Sequence, residues 1–172
     1  RDKKDVDVVV SQVLHYDIEM KTAMFHCVND EQIALLMEGD NSKLYGKVCI
    51  ECFIPAVGTA YSAKILEQMG EYDERYYLVD DWPFFLKLLR NGAKFCYCDF
   101  VSAKHRDGGV SHNKKTKTED RTDRYHKDLI AIIRDEILPN YKFADESMQK
   151  SVYHYANDRV VISEFRSEFG KM

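Results

Sequence analysis

Apolar and polar positions change their spacing repeatedly along the chain, and each change predicts an element. Val6, Val8, Val9 and Val10 form a short β-branched run that predicts a buried strand. Residues 29–37, NDEQIALLM, open on Asn and acids, carry Ile33, Leu36 and Met37 at helical spacing and stop at Gly39. KVCIECFIPAVG reads as a strand entering a glycine-containing loop. Ser62 is placed to cap the helix AKILEQM, with Ile65, Leu66 and Met69 on one face and Gly70 at a left-handed stop.

The next helix carries the apolar stripe Phe84, Phe85, Leu88 and Leu89, has Lys87 and Arg90 in its last turn, and ends at Asn91-Gly92. Pro83 sets its start and pushes Trp82 out of helical geometry, so Asp80 and Asp81 fall at the entrance. AKFCYCDFVSAKH reads as an extended segment, and RDGGVSHNKKTKTEDRTD as a polar loop. Helices are expected over about 123–138, with Leu129, Ile133 and Ile137 inward and Pro139 past the end, and over about 145–169. Strands interleaved with helices give an α/β class.

Composition narrows the picture. With 172 residues, 45% of them hydrophobic and 12% aromatic, the chain can bury a substantial core as one domain, 1–172. A formal charge of -4 argues against a nucleic-acid module, which needs many phosphate-neutralising cations. No apolar run approaches the roughly 20 residues of a membrane span. The opening RDKKD reads as the tail of a helix, which predicts a piece of a longer polypeptide. Five cysteines, an odd number, fit a reducing, cytoplasmic setting. Cys49-x-x-Cys52 and Cys96-x-Cys98 are either buried thiols or four ligands of a zinc-stabilised interaction module.

The stretch YLVDDWPFF, residues 77–85, raises the sharpest question about chemistry. One aspartate suffices to cap a helix. Two adjacent ones, flanked by Leu78, Val79 and Trp82, add desolvation and repulsion that a cap does not require. Asp80 and Asp81 are thus either caps or a site for chemistry or cation binding. A helix entrance would keep Asp81 ionised. Trp82 is either a stacking platform for a ligand or core at the helix entry.

The order of residues from 58 to 111 resembles the C-terminal half of family 2 inverting glycosyltransferases. The features are Gly58, a helix ending at Met69-Gly70, EYDERYYLVDDWPFFLKLLRNGAKFCYCD, and Lys104-His105-Arg106-Asp107-Gly108-Gly109-Val110-Ser111, similar to that family's Tyr-Arg-x-x-Gly-x-Ser loop. The resemblance implies the C-terminal, acceptor-side part of a GT-A fold over 1–111, a mixed sheet flanked by helices, followed by a loop and C-terminal helices over 112–172. It places Asp81 at the catalytic base and Asp80 where the family usually has Glu. Asp73 and Glu74 match a pair read here as turn residues. Gly58 would allow close approach of a sugar, and Arg106, His105, Lys114 and Lys115 would fold over a diphosphate or form a solvated loop.

The activity that the resemblance implies is transfer from a nucleotide-sugar donor to a saccharide or lipid-linked acceptor with inversion. A divalent cation, Mg or Mn, is expected in the full-length enzyme. This fragment would hold no metal, His105 being the candidate ligand, and would neither bind a nucleotide tightly nor turn over alone. Asp5-Val6-Asp7 has the letters of the family's metal motif, but it runs directly into Val8-Val9-Val10 and is read as a decoy. A bacterial cell-wall or surface polysaccharide pathway, at the inner face of the membrane, is the implied setting. The last helix, with Tyr153, Tyr155, Phe165 and Phe169, offers an aromatic face to the rest of the polypeptide or to an oligomer. The rival reading is a non-catalytic carbohydrate-binding module.

Overall fold

A computed structural model describes residues 5–108 and 119–169. It is an α/β structure with a mixed four-stranded sheet and flanking helices. Strand β1 (Val8–Tyr16) is central. Strand β4 (Phe95–Arg106) runs parallel along its whole length on one side, whereas β3 (Thr59–Tyr61) and β2 (Ala23–His26) pair antiparallel with its two halves on the other. The valine run thus seeds a strand of 9 residues.

Val8 and Val10 face the core, and the phase then shifts at an irregularity against β4 between Ser11 and Val13. The break is stabilised by Gln12, a buried amide that donates to Val28 O and accepts from Val28 N–H at 2.8 and 3.0 Å. Its side chain replaces a backbone partner where the ladder is interrupted. Asp7 is structural in the same way, since its carboxylate accepts the Lys94 N–H at 2.9 Å.

Helix α1 (Asp30–Glu38) follows the sequence closely, with a capping box between Asn29 and Gln32 and Gly39 at φ 77°. The expected strand over KVCIECFIP is instead the end of a helix, α2 (Asn41–Ile50). Leu44, Tyr45, Val48 and Cys49 lie one turn apart on a single buried face, and Asp40 accepts from the N–H groups of Ser42 and Lys43. Those contacts override the β preference of Val48 and Ile50. Gly46 lets α2 approach the last helix, where a Cβ would stand 2.9 Å from Met148 Sδ.

Helix α3 (Ala63–Met69) is capped by Ser62 and stops at Gly70 as read. Of its expected apolar face only Ile65 is buried, and Leu66 is 40% exposed. Helix α4 (Asp81–Arg90) is buried almost all round rather than along one stripe, because Trp82, Pro83 and Leu86 join Phe84, Phe85, Leu88 and Leu89 in the core. It also starts earlier than Pro83 suggested, with Trp82 inside the helix. Pro83 is the third helical residue, where its missing N–H removes a donor that the first turn leaves open anyway. The usual restriction before proline yields because the Trp82 indole N–H donates to Val48 O at 2.8 Å.

Helix α5 (Glu119–Ile132) runs on through a π turn, Ile133–Ile137, and a 3-10 turn, Leu138–Phe143, so Pro139 sits inside the structure rather than past its end. Ile133 and Ile137 are buried and Leu129 is partly so. Helix α6 (Glu146–Phe169) packs on α2, and Arg90 of α4 joins the π turn through a 2.7 Å pair with Glu136. Tyr153 is exposed on α6, while Tyr155 packs against the core. The side chains of Phe165 and Phe169 lie outside the described residues, as do Gly109, Val110, Ser111, Lys114 and Lys115. No helix among the described residues is long and apolar enough to cross a membrane.

Burial predicts that Phe85→Ala, at a position 0% exposed, lowers the unfolding free energy by about 3–5 kcal/mol. Leu66→Ala should change it by less than about 1 kcal/mol. Equal losses in urea denaturation would contradict this arrangement.

Candidate functional site

Beside the first turn of α4 lies a cavity of about 670 Å³. Its walls come from the end of α2 and the loop after it, from Leu78, Val79, Asp81 and Trp82, from α5 and α6, and from the ends of β1 and β4. Asp81, Trp82 and His105 all line it. Asp80, Gly58 and Arg106 do not, so three of the six sequence-derived site residues are brought together.

The two aspartates differ sharply. Asp80 has helical backbone angles, makes no cap bond and is exposed. Asp81 accepts the Trp82 N–H at 2.8 Å and is half-buried. Burial raises its pKa above the ordinary aspartate value, and the charge of Asp80 adds to the shift, with the Trp82 N–H opposing it. A helix entrance alone would shift it the other way. Desolvation by the surrounding core outweighs one turn of helix dipole.

The segment before Asp81 is held from outside. Asp128 of α5, only 3% exposed, accepts the Leu78 N–H at 3.0 Å and is paired with Arg124 at 2.8 Å. This anchor was not read from the sequence, although Arg124 and Asp128 stand at helical i, i+4 spacing. Asp73 accepts from Arg75 and shapes the preceding turn, as a structural role requires.

Two neutral groups, Tyr125 and Cys52, stand near the carboxylate. Tyr125 is shifted upward in pKa by burial first, then by Cys52, Asp81 and Tyr155. Cys52 is pushed well above the usual thiol value, chiefly by burial and then by Asp81. Neither group supplies a positive charge. Trp82 is 4% exposed, its indole tied to α2, so its core role is established and only an edge of it reaches the cavity.

His105 sits opposite His15 in the β1–β4 register, and the two rings stack at 4.9 Å with 13° between their planes. Phe25 packs edge-on against His15 at 4.7 Å. His15 Nε2 is buried with no hydrogen-bond partner among the described residues. Strand alternation turns Arg106 to the other face of the sheet from His105. Gly58 approaches the protein rather than open space, because a Cβ there would stand 2.5 Å from Val13 Cγ2. His15 escaped the reading because nothing in the sequence paired β1 with β4 at that register.

Among the described residues no group of three or more His, Cys, Asp or Glu side chains is placed to hold a metal ion. Cys49 is buried within α2 with a pKa pushed up to about 12, mainly by burial, and all five cysteines are free thiols. Comparison with known proteins finds no matching family model, no matching curated protein and no matching solved structure.

The raised pKa of Asp81 carries a stability consequence. At pH below the ordinary aspartate value, about 3.9, folded and unfolded chains both hold the proton and this stabilisation is present in full. As pH rises, the unfolded chain releases it first, and native stability falls until the folded carboxyl ionises too. Asp81→Asn should therefore melt higher than the parent at neutral pH, with the advantage vanishing below about pH 4. A lower melting temperature for the variant at pH 7 would mark Asp81 as a cap instead.

Proposed function

We propose that the Asp81 cavity is the acceptor side of an inverting sugar transfer from a nucleotide-sugar donor, within a GT-A type arrangement. The observation that supports it best is a half-buried carboxylate with a raised pKa, lining a cavity of ligand size. A base works best when its pKa approaches the operating pH, and burial moves Asp81 in that direction.

In this reading an acceptor hydroxyl lies within hydrogen-bond reach of Asp81. As its oxygen attacks the anomeric carbon, the O–H proton passes to the Asp81 carboxylate. The new C–O bond forms while the bond to the nucleoside diphosphate breaks, its electron pair leaving with the diphosphate. Trp82 fixes the first turn of α4 and hence the carboxylate. Asp128 holds the Leu78 N–H and keeps the approach to the turn in place. A divalent cation would stabilise the leaving group, but the described residues do not fit one, and no step here is assigned to it.

The test is transfer by a polypeptide that supplies both halves of the site. Asp81→Asn should lower kcat by about 10²–10⁴-fold while leaving the fold intact, the range for a lost general base. Asp80→Asn, at an exposed position outside the cavity, should lose less than about tenfold by comparison. Near-normal transfer by Asp81→Asn would remove Asp81 as the base, and no transfer by the parent polypeptide would favour the non-catalytic carbohydrate-binding module.

A further inference from the structure

We propose that the cavity binds a small organic cation, an alkylated ammonium, which serves as the counter-ion of Asp81. This stands on the cavity alone. Only the further step, in which a hydroxyl carried by that cation is the acceptor, rests on the transferase reading.

Asp81 is a charge for which the chain supplies no partner. Its half-buried carboxylate accepts the Trp82 N–H, and the charge it feels from Asp80 has the same sign. Among the described residues no Lys or Arg lines the cavity. Other enclosed carboxylates are paired: Asp128 with Arg124 at 2.8 Å, and Glu136 with Arg90 at 2.7 Å. A carboxylate drawn out of water without such a pair is costly, and a bound cation offsets that cost. Glu51 also lines the cavity, but its side chain is 55% exposed and lies 3.6 Å from Lys47, so it belongs to the surface.

Aromatic rings complete the recognition. Phe25, Phe53, Trp82, Tyr125 and Tyr155 all line the space. Tyr125 stands close enough to Asp81 and Tyr155 for each to act on its titration, which places two phenol rings with the carboxylate. Burial holds both phenols and the Cys52 thiol above their ordinary pKa values, so they remain neutral. The Tyr155 ring already carries one cation, since the Arg159 guanidinium carbon lies 5.2 Å from its centroid. A ring face attracts a cation through its quadrupole, and most strongly where water is excluded.

The same lining disfavours the other ligand classes. An anion would meet Asp81 and Glu51 with no Lys or Arg to receive it. A neutral molecule would leave the Asp81 charge uncompensated. A bare divalent ion needs several oxygen ligands, and among the described residues no group of three or more His, Cys, Asp or Glu side chains is placed to supply them. An alkylated ammonium asks for less, because ring faces and one carboxylate replace its hydration. A volume of about 670 Å³ admits it easily, since cavities of about 300–1,000 Å³ hold drug-sized ligands.

Trp82 is the single tryptophan of the chain and lines the cavity, so its fluorescence reports occupancy without any reaction. Choline and 3,3-dimethylbutan-1-ol share a shape and a hydroxyl and differ in charge. At neutral pH, with sodium chloride holding the ionic strength constant, choline should perturb Trp82 saturably, and the neutral isostere should bind about tenfold more weakly. Asp81→Asn should weaken choline binding about fivefold or more. Tyr125→Phe, which keeps the ring, should bind choline as the parent does, whereas Tyr125→Leu should lose about threefold or more. In the parent chain, saturating choline should lower the carbon-13 titration midpoint of Asp81, because a bound cation favours the ionised carboxylate.

Equal binding of the isostere, absence of a saturable choline response, or an Asp81 midpoint that choline does not move would each overturn the proposal. So would undiminished choline affinity in Asp81→Asn or Tyr125→Leu. Choline binding combined with unimpaired transfer by Asp81→Asn would sink the transferase reading and leave this one standing. No choline binding combined with lost transfer would do the reverse.

Discussion

The indole N–H of Trp82 donates to Val48 O at 2.8 Å, and that bond joins the first turn of α4 to the last turn of α2. Val48 O is one of the carbonyls that a helix end leaves open, so the bond satisfies two buried polar groups at once. It also decides where Asp81 sits. With Trp82 inserted between the helices, the residue before it is drawn into the shielded layer, and the carboxylate that a simple cap would leave in water is partly desolvated instead. Asp80, one residue earlier, stays outside. Two adjacent aspartates thus acquire different environments from one packing constraint.

The energetic consequences run in opposite directions. Burying α4 nearly all round contributes heavily to the core, since Phe85, Leu86 and Leu88 are fully enclosed. Burying Asp81 beside Asp80 works against stability. Such local conflicts between fold and side chain are where functional sites tend to lie, because selection retains the unfavourable group for what it does. The neutral Tyr125 and Cys52 beside the carboxylate are consistent with that reading.

Much of the fold is legible in local signals. The Asn29 capping box, the Ser62 cap, the glycine stops at Gly39 and Gly70, and the valine run each encode structure within a few residues. The failures have long-range causes. Residues 44–50 carry β-branched side chains, yet their helical face is fixed by contacts with α4 and α6 far along the chain. The start of α4 could not be placed from Pro83 because a hydrogen bond to Val48, 34 residues away, decides it. Asp81 and Trp82 were readable as a candidate site from their unusual neighbours. His15 and Asp128 were not, since one depends on strand register and the other on a bond across 50 residues.

The central claim is that Asp81 is a desolvated carboxylate rather than a helix cap. Carbon-13 NMR titration of the Asp81 carboxyl, assigned by loss of its signal in Asp81→Asn, measures this directly. A desolvated carboxylate should titrate with a midpoint above the ordinary aspartate value of about 3.9. A midpoint at or below that value would show a carboxylate stabilised by the helix end, and would contradict the claim.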